Sequence, residues 1–466
     1  MPEAFSIRWK LDRPLVEQDK AEDVYALVTI EPTTGGPLLA SQLALPAHVI
    51  LLVDVSGSMD FLVRFDPDAK NMGEGVTEGQ ASQKVVSSVP SRREMACAVV
   101  QRLAERLTGQ DLFTLVAFDD KAYNLATCLS PDDLDALHSA IKKLEKTGGG
   151  GTAMGRGLDA VRKILAATPD PNRTRKLVLL TDGQADDPGE ALAAAQALGR
   201  EFSVPIVALG TGECKVAFLK EVAQTTLAGT FNHVRAEADA EQLFHQVLAG
   251  QKNVQAVNVL LKLWLSPEIQ VRELYRTRPE ILFVGDVRPD SSNVVELRLE
   301  QMERGKGYEF LFRCTVPRKQ ANQRFRLAKA TLTYDLPAHG RKAETVEANI
   351  VVEYTADAER ARERSGDVRR ALARAEVQRQ ILFIQAKADL LQQGQGSERD
   401  RVLVANVLHA LVKKFDEFGD RPMANQFRHM EQELLAKGTI SQDMLNRSLA
   451  ASSRAEEVIV AQDIDF

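Results

Sequence analysis

Three short polar segments of the chain carry the oxygen atoms that a hard metal cation requires. The first, residues 54–58, reads Asp-Val-Ser-Gly-Ser and places one carboxylate and two hydroxyls at alternate positions. The second, residues 148–152, is four glycines followed by a threonine, and the third, residues 181–183, reads Thr-Asp-Gly. Carboxylate and hydroxyl oxygens, without sulfur or imidazole, favour Mg²⁺, Mn²⁺ or Ca²⁺ over softer metals.

The elements around these segments predict that all three meet at one edge of a sheet. Near-continuous apolar runs, typical of strands covered on both faces, occupy residues 48–53, 112–118, 176–180 and 204–209. Helical spacing of apolar residues runs through residues 93–107, 155–166, 189–202 and 238–248. Strands that alternate with helices indicate an open, mostly parallel sheet, whose ligands bind beyond the carboxyl ends of the strands. Each polar segment follows a predicted strand or opens a predicted helix, so the three would converge on that rim.

The order of these motifs closely resembles the von Willebrand factor type A (VWA) family and its metal-ion-dependent adhesion site. The residues that match the motif of this site are Asp54, Ser56, Ser58, Thr152 and Asp182. The resemblance covers about residues 48–250, which is less than half of the chain. It implies a doubly wound, Rossmann-like α/β domain that binds a divalent cation, Mg²⁺ or else Mn²⁺ or Ca²⁺.

The same resemblance implies a role for each site residue. Ser56, Ser58 and Thr152 would contact the metal, Thr152 in only one of its states, while Asp54 and Asp182 would bind it directly or through water. A carboxylate from a protein partner would complete one open coordination position. The alternative is a polar turn, an N-cap threonine and a helix-capping aspartate, which explains each segment singly but not their coincidence.

From about residue 254 to 354 the apolar period changes to two, as in antiparallel strands with one buried face. The alternating runs cover residues 259–265, 295–299, 308–316 and 346–354. The N-terminal residues 24–30 alternate in the same way. This pattern predicts a β-sandwich built from both flanks, with the α/β domain inserted into it. The alternative is that residues 24–30 form an edge strand of the α/β sheet.

The predicted fold class is therefore multidomain: α/β, then all-β, then α. The predicted regions are N-terminal sandwich strands in 1–45, the VWA domain in 46–252, the rest of the sandwich in 253–355 and a C-terminal helical region in 356–466. In the helical region, apolar residues at a spacing of three or four form one stripe: Val377, Ile381, Ile384, Ala388 and Leu391. Further helices are predicted over residues 402–418, 423–435 and 441–454.

An insertion at about residues 60–90 separates the first polar segment from the helix that should follow it. Its start, residues 61–65, is apolar, and the remainder is polar. Loops of this length are uncommon in compact domains and are often functional lids. One hypothesis is a gate in which Asp60, Asp66 or Glu74 competes with the partner's carboxylate for the metal. The alternative is a decorative insertion, or a hairpin packed on the sandwich.

The composition argues against several classes of protein. The 466 residues carry a net charge of −6, from 59 basic and 65 acidic residues, which gives no reason to expect a nucleic-acid-binding protein. No apolar run approaches the roughly 20 residues of a membrane span, and the first residues lack the pattern of a signal peptide. The four cysteines are scattered, as is typical of reduced thiols. We therefore expect a cytoplasmic protein without a membrane span.

These observations predict a non-enzymatic, metal-dependent protein-binding module on a larger scaffold, with no catalytic residue and no organic-cofactor site. The glycine-rich segment lacks the Gly-Lys-Ser/Thr ending of a phosphate loop. The architecture also resembles bacterial intracellular VWA proteins and, more loosely, inter-alpha-trypsin-inhibitor heavy chains. One rival is a regulatory subunit that works with an AAA+ ATPase, as in chelatase-like systems. A second rival is a metal-dependent hydrolase, which needs a general base near the rim, and the sequence offers no good candidate.

Overall fold

The computed structural model of the chain describes residues 3–33, 45–60, 91–234 and 253–448, apart from 171–172, 184, 212–213, 280, 286–287, 393, 418–420, 442–443 and 446–447. Three predicted features fall wholly or largely outside these residues: the insertion beyond Asp60, the helix over 238–248 and the helix over 441–454. The described residues form an α/β unit, two further sheets and a group of C-terminal helices.

The strands and helices of the described residues are numbered here in chain order. The strands are β1 (Phe5–Leu11), β2 (Leu15–Glu17), β3 (Glu22–Pro32), β4 (Ala47–Asp54), β5 (Leu112–Phe118), β6 (Ala122–Leu129), β7 (Thr174–Thr181), β8 (Ile206–Thr211), β9 (Thr230–Val234), β10 (Val254–Leu265), β11 (Gln270–Arg278), β12 (Leu282–Gly285), β13 (Val294–Glu303), β14 (Tyr308–Val316), β15 (Arg324–Leu336) and β16 (Arg341–Thr355). The α-helices are α1 (Arg92–Ala104), α2 (Leu134–Lys146), α3 (Met154–Ala167), α4 (Pro188–Phe202), α5 (Val216–Ala223), α6 (Gly366–Gln392), α7 (Glu398–Glu417) and α8 (Arg421–Lys437).

The α/β unit is built on a sheet with the order β6-β5-β4-β7-β8-β9 among the described residues. All neighbours pair in parallel except β6, which lies antiparallel at one edge. Every residue of β4 is buried, because its side chains enter two apolar clusters. Val49, Leu51 and Val53 pack with α1 and α2, whereas Ile50 and Leu52 pack with α3, α4 and α5. Helices on both faces make this a doubly wound, Rossmann-like sheet, as predicted.

Two five-stranded sheets flank this unit in sequence, with the orders β1-β3-β14-β11-β12 and β13-β10-β15-β16-β2 among the described residues. Strand β3 pairs with β1 and β14, so that Val28 lies opposite Trp9 on one side and Phe310 on the other. The N-terminal segment thus joins strands that follow the α/β unit in the chain. One apolar cluster draws on both sheets. Within it the ring of Phe5 meets the ring of Tyr334 edge-on, with centroids 4.9 Å apart.

Charged side chains join the α/β unit to these sheets along a seam, which consists of Arg276, Glu300, Glu303, Lys176 and residues 227–228; all four side chains except the partly buried Glu303 are buried. Arg276 of β11 donates to the Leu227 carbonyl after α5. The Ala228 amide donates to Glu300 Oε2 of β13 at 3.1 Å. Lys176 of β7 approaches Glu303 Oε1 at 3.5 Å. Both five-stranded sheets therefore contribute a buried charge to one loop of the α/β unit.

The C-terminal helices pack on the face of the α/β unit that carries α3, α4 and α5. The apolar stripe of α6 lies in the same cluster as Ile50 and Leu52 of β4. Helix α7 begins after Ser397, whose hydroxyl accepts a hydrogen bond from the Asp400 amide at 3.2 Å. Within the described residues, no helix combines the length and the apolar character needed to cross a bilayer.

Candidate metal site at the carboxyl rim

Asp54 ends β4 at the carboxyl rim of the sheet and is fully buried. Its Oδ1 accepts a hydrogen bond from the Ser56 amide at 2.9 Å, and its Oδ2 accepts one from Thr181 Oγ1 at 2.6 Å. Thr181 reaches Asp54 because it ends β7, the parallel neighbour of β4. Burial raises the pKa of Asp54 to about 6, with the hydrogen bonds from Ser56 and Thr181 acting against this rise and the charge of Asp182 adding to it. The carboxylate is therefore held in place but lacks a full counter-charge.

The two serines of the first polar segment lie side by side. Ser56 Oγ and Ser58 Oγ are 3.1 Å apart, within hydrogen-bond distance. Adjacent ligands of an octahedral Mg²⁺ with bonds of 2.0–2.1 Å are about 3 Å apart. The observed separation therefore suits two neighbouring ligands of such an ion.

The glycine-rich segment lies directly against the first polar segment. The Gly149 amide donates to the Val55 carbonyl at 2.8 Å, and the Gly57 amide donates to the Gly150 carbonyl at 3.0 Å. Gly148 has φ +105°, and a Cβ added there would lie 2.1 Å from the Val55 carbonyl oxygen. Only glycine fits this close approach, which brings the segment's last residue, Thr152, to the rim.

Thr152 is buried and is positioned through its backbone. Its amide donates to Asp186 Oδ2 at 2.6 Å, and its carbonyl accepts from the Asp186 amide at 2.9 Å. The N-caps of α3 and α4 are Ala153 and Asp187. Thr152 and Asp182 are therefore not the N-caps of these helices, so the capping alternative does not explain their positions.

Asp182 follows β7 and is 1% exposed. Arg92, the first residue of α1, donates from Nη1 to Asp182 Oδ2 at 3.1 Å and to the Ser58 carbonyl at 3.4 Å. The start of α1 is fixed by a capping box in which Ser91 and Glu94 bond each other's backbone amides. A cation from the helix after the insertion thus contacts a rim carboxylate.

Asp60, one of the proposed gate carboxylates, lies in the described part of the chain. Its Oδ1 approaches Arg93 Nε at 2.7 Å. Arg93 also donates to the Val55 carbonyl at 3.0 Å. The remaining gate candidates, Asp66 and Glu74, lie outside the described residues.

The rim has the chemistry of an oxygen site for a hard cation. Within the described residues, no three His, Cys, Asp or Glu side chains group together as metal ligands. A cation at the rim would therefore use the two carboxylates, with hydroxyl and water oxygens completing its coordination. Mg²⁺ tolerates such a site because it usually keeps several waters. The side-chain oxygens of the five predicted residues have the chemistry that such an ion prefers.

Three residues that position the site are not among those predicted from the sequence: Thr181, Asp186 and Arg92. Thr181 could have been predicted from the sequence, because it directly precedes Asp182 and ends a strand that leads to the same rim as Asp54. Asp186 and Arg92 could not have been predicted from local sequence. Asp186 contacts Thr152, 34 positions away, and Arg92 contacts Asp182, 90 positions away.

Comparison with known proteins agrees with this geometry. Residues 49–184 match the family model of the von Willebrand factor type A domain. The chain is 23% identical over 302 residues to the uncharacterized protein sll0103 of Synechocystis sp., and the match spans 64% of this chain and 63% of that protein. The chain thus covers less than two thirds of the length of this relative.

Two solved structures share the fold over nearly the whole chain. A von Willebrand factor type A protein from Catenulispora acidiphila has a TM-score of 0.70 at 18% identity, and the match covers 98% of this chain and 97% of that one. The ArnB paralog VWA2 from Sulfolobus acidocaldarius has a TM-score of 0.54 at 14% identity, with 97% and 99% covered. The chain therefore contains a VWA domain with additional sheets and helices. Domains of this class generally mediate protein–protein interactions and are typically non-enzymatic adhesion or scaffold modules.

Proposed function

We propose that this protein is a non-enzymatic scaffold whose VWA domain binds a protein partner through a divalent metal, with Mg²⁺ as the expected ion. Asp54, Ser56, Ser58, Thr152 and Asp182 would hold the metal. When bound, the metal would supply an electrophilic centre for a carboxylate of the partner, because neutral hydroxyls donate little charge to it.

The observation that carries this proposal is the convergence of three distant segments on one rim. Two backbone hydrogen bonds join the segment of Asp54 to the glycine-rich segment, at 2.8 and 3.0 Å. A side-chain hydrogen bond of 2.6 Å joins Asp54 to Thr181, the residue before Asp182. Two carboxylates are also buried here, although burial of a carboxylate is costly unless a cation or hydrogen bonds compensate for it. A bound cation would compensate for the cost of burying these two carboxylates.

We also propose a division of the chain in which residues 46–252 form a VWA domain inserted into a β-sandwich made by residues 1–45 and 253–355. Residues 356–466 would form the helical region, and the protein would act in the cytoplasm. The pairing of β3 with both β1 and β14 supports this division, as does the apolar cluster common to the two five-stranded sheets.

A pulldown from cell extract in Mg²⁺ and in EDTA tests the function. The full chain should capture a partner in Mg²⁺, and EDTA or the Asp182→Ala variant should abolish the capture. The Asp159→Ala variant is a matched control, because it removes a carboxylate that pairs with Arg162 and Lys163 on α3. Capture that is equal in Mg²⁺ and EDTA would contradict the metal-dependent function. Recovery of an AAA+ ATPase would instead favour the regulatory-subunit function.

A further inference from the structure

Arg92 stands out because it places a cation on a carboxylate that the metal itself would use. Its Nη1 lies 3.1 Å from Asp182 Oδ2 and 3.4 Å from the Ser58 carbonyl oxygen. The Arg92 side chain is 16% exposed and that of Asp182 is 1% exposed. The pair is therefore only weakly screened by solvent, and its charges interact more strongly than those of a surface pair.

The backbone of Arg92 is fixed at the start of α1 by contacts that do not involve the Asp182 pair. Ser91 and Glu94 fix the first turn of α1 through reciprocal hydrogen bonds of 3.1 and 2.7 Å. Arg93, the next residue, holds the same turn against the first polar segment by donating to the Val55 carbonyl at 3.0 Å. These contacts place the first turn of α1 at the rim, and from there the guanidinium of Arg92 reaches Asp182 and the Ser58 carbonyl.

We propose that Arg92 is a counter-cation of Asp182 that opposes metal binding. Without metal, Arg92 stabilises the buried Asp182 carboxylate. A metal ion binds at the rim only when it competes successfully with Arg92 for that carboxylate. This inference rests on the proposed metal site and adds a regulatory residue to it. Asp54 and Asp182 together carry two negative charges, of which Arg92 offsets one. A divalent cation that enters beside Arg92 therefore meets a site with half of its attractive charge already neutralised, and it must also share Asp182.

Calorimetric titration of the full chain with MgCl₂ tests the competition. The Arg92→Gln variant should bind Mg²⁺ about tenfold more tightly than the wild type, because the positive charge of Arg92 no longer competes with the metal for Asp182. Arg92→Lys, which keeps the charge, should stay within about threefold of the wild type. Arg162→Gln is the control for net charge, because Arg162 pairs with Asp159 and Glu201 on the outer surface, and it should leave the affinity unchanged.

A second measurement in EDTA separates this inference from the proposed function. A double-mutant cycle compares Arg92→Gln, Asp182→Asn and the variant with both changes. Each single change should lower the thermal midpoint, and the midpoint of the double variant should fall by less than the sum of the two single decreases. Additive losses, or equal Mg²⁺ affinity of Arg92→Gln and wild type, would overturn the role of Arg92 while leaving the metal site intact. If the cycle is non-additive but no variant binds Mg²⁺, then the proposed function fails and Arg92 is a structural partner of Asp182 alone.

Discussion

The rim and the seam both bury charged side chains, but they neutralise them differently. At the seam, Arg276 and Glu300 each bond a backbone group of residues 227–228, and Lys176 pairs with Glu303. At the rim, the carboxylates of Asp54 and Asp182 are buried, Thr181 donates to Asp54, and one arginine, Arg92, donates to Asp182. Each of these groups at the seam therefore has a partner within the chain, whereas the rim retains a negative excess.

This difference separates a structural contact from a binding site. Buried charges that have partners within the chain hold two parts of the molecule together and do not require a ligand. At the rim, Arg92 offsets only one of the two carboxylates, so the remaining charge still costs stability in the metal-free protein, and a divalent cation would remove that cost on binding. Variants at the rim should therefore change how the protein responds to metal, whereas variants at the seam should have the same effect with and without metal.

The largest effect is expected at the seam, from Arg276→Met. This change keeps apolar volume but leaves the Leu227 carbonyl and the Glu300 carboxyl without their cation, which should cost about 3–5 kcal/mol of stability. Burial already raises the pKa of Glu300 to about 8, and Arg276 opposes that rise. Hydrogen exchange of the β11 and β13 amides should accelerate to the same extent in Mg²⁺ and in EDTA.

The control for the seam is Arg362→Met, which removes an exposed partner of Glu359. Exposed ion pairs contribute about 0–1 kcal/mol, so this variant should exchange like the wild type. If Mg²⁺ rescued Arg276→Met, the seam would have to be coupled to the rim, and the contrast between the two places would fail.

The second effect is expected at the rim, from Asp182→Ala. Loss of one of the two carboxylates should weaken Mg²⁺ binding by on the order of 100-fold, which corresponds to about 2.7 kcal/mol. Folding should survive, because Asp182 follows β7 and the apolar strand itself is unchanged. Calorimetry with MgCl₂ measures the affinity, and circular dichroism reports the fold. Unchanged affinity would remove Asp182 from the site.

Sequence patterns predict the strands of the α/β unit well because these strands are nearly continuous apolar runs. Strand β5 has the predicted bounds, and β4 extends the predicted run by one residue at each end. Helix α2, in contrast, is not among the predicted elements, although Asp133 caps it and Leu137, Ile141 and Leu144 form a buried stripe. Its charged exposed face lies opposite this stripe, so the sequence carries the signal of an amphipathic helix that the prediction missed.

The antiparallel strands are harder to predict from period alone. Strand β15 is also not among the predicted elements, although Ala328, Ala330 and Leu332 alternate with half-buried residues. A register shift between Arg326 and Ala328 interrupts its pairing with β16, and small alanines give a weak apolar contrast. The sequence could propose the five site residues because their segments follow strands or precede a helix, where an open parallel sheet places its ligands. The Arg92 contact could not, because it depends on packing across the rim.

A pH effect should follow from the buried carboxylate of Asp54. Its folded pKa of about 6 lies above its unfolded value of about 3.9, so the folded state binds the proton more tightly. In EDTA, this group should therefore lower the stability of the protein as the pH rises from about 4 to about 6. Asp54→Asn has no such proton, so at pH 7 it should be more stable than the wild type by about 1–2 kcal/mol.

A comparison of wild type with Asp54→Asn across pH separates the contribution of Asp54 to stability from those of other titrating groups. Wild type and Asp54→Asn should have similar thermal midpoints at pH 4 and should diverge by pH 6.5. Saturating Mg²⁺ at pH 7 should reverse the order, because only the wild type gains binding energy. If Asp54→Asn were the less stable protein in EDTA at pH 7, the hydrogen bonds from Ser56 and Thr181 would outweigh the cost of burial.

The smallest effect is expected from Thr181→Val, which tests whether the rim needs a residue that positions a ligand. The Thr181 hydroxyl donates to Asp54 Oδ2 at 2.6 Å and accepts from the Gly183 amide at 2.9 Å. Valine keeps the shape and the β-branched preference of the strand but removes both bonds, which should cost about 1 kcal/mol in EDTA. Because Asp54 would lose its orientation and not its charge, Mg²⁺ affinity should fall by only about three- to tenfold.

Thr181→Ser keeps the hydroxyl and should restore most of that affinity in the same calorimetric titration. A loss as large as that of Asp182→Ala would mean that Thr181 is itself a ligand, and no loss at all would mean that the Ser56 amide alone orients Asp54.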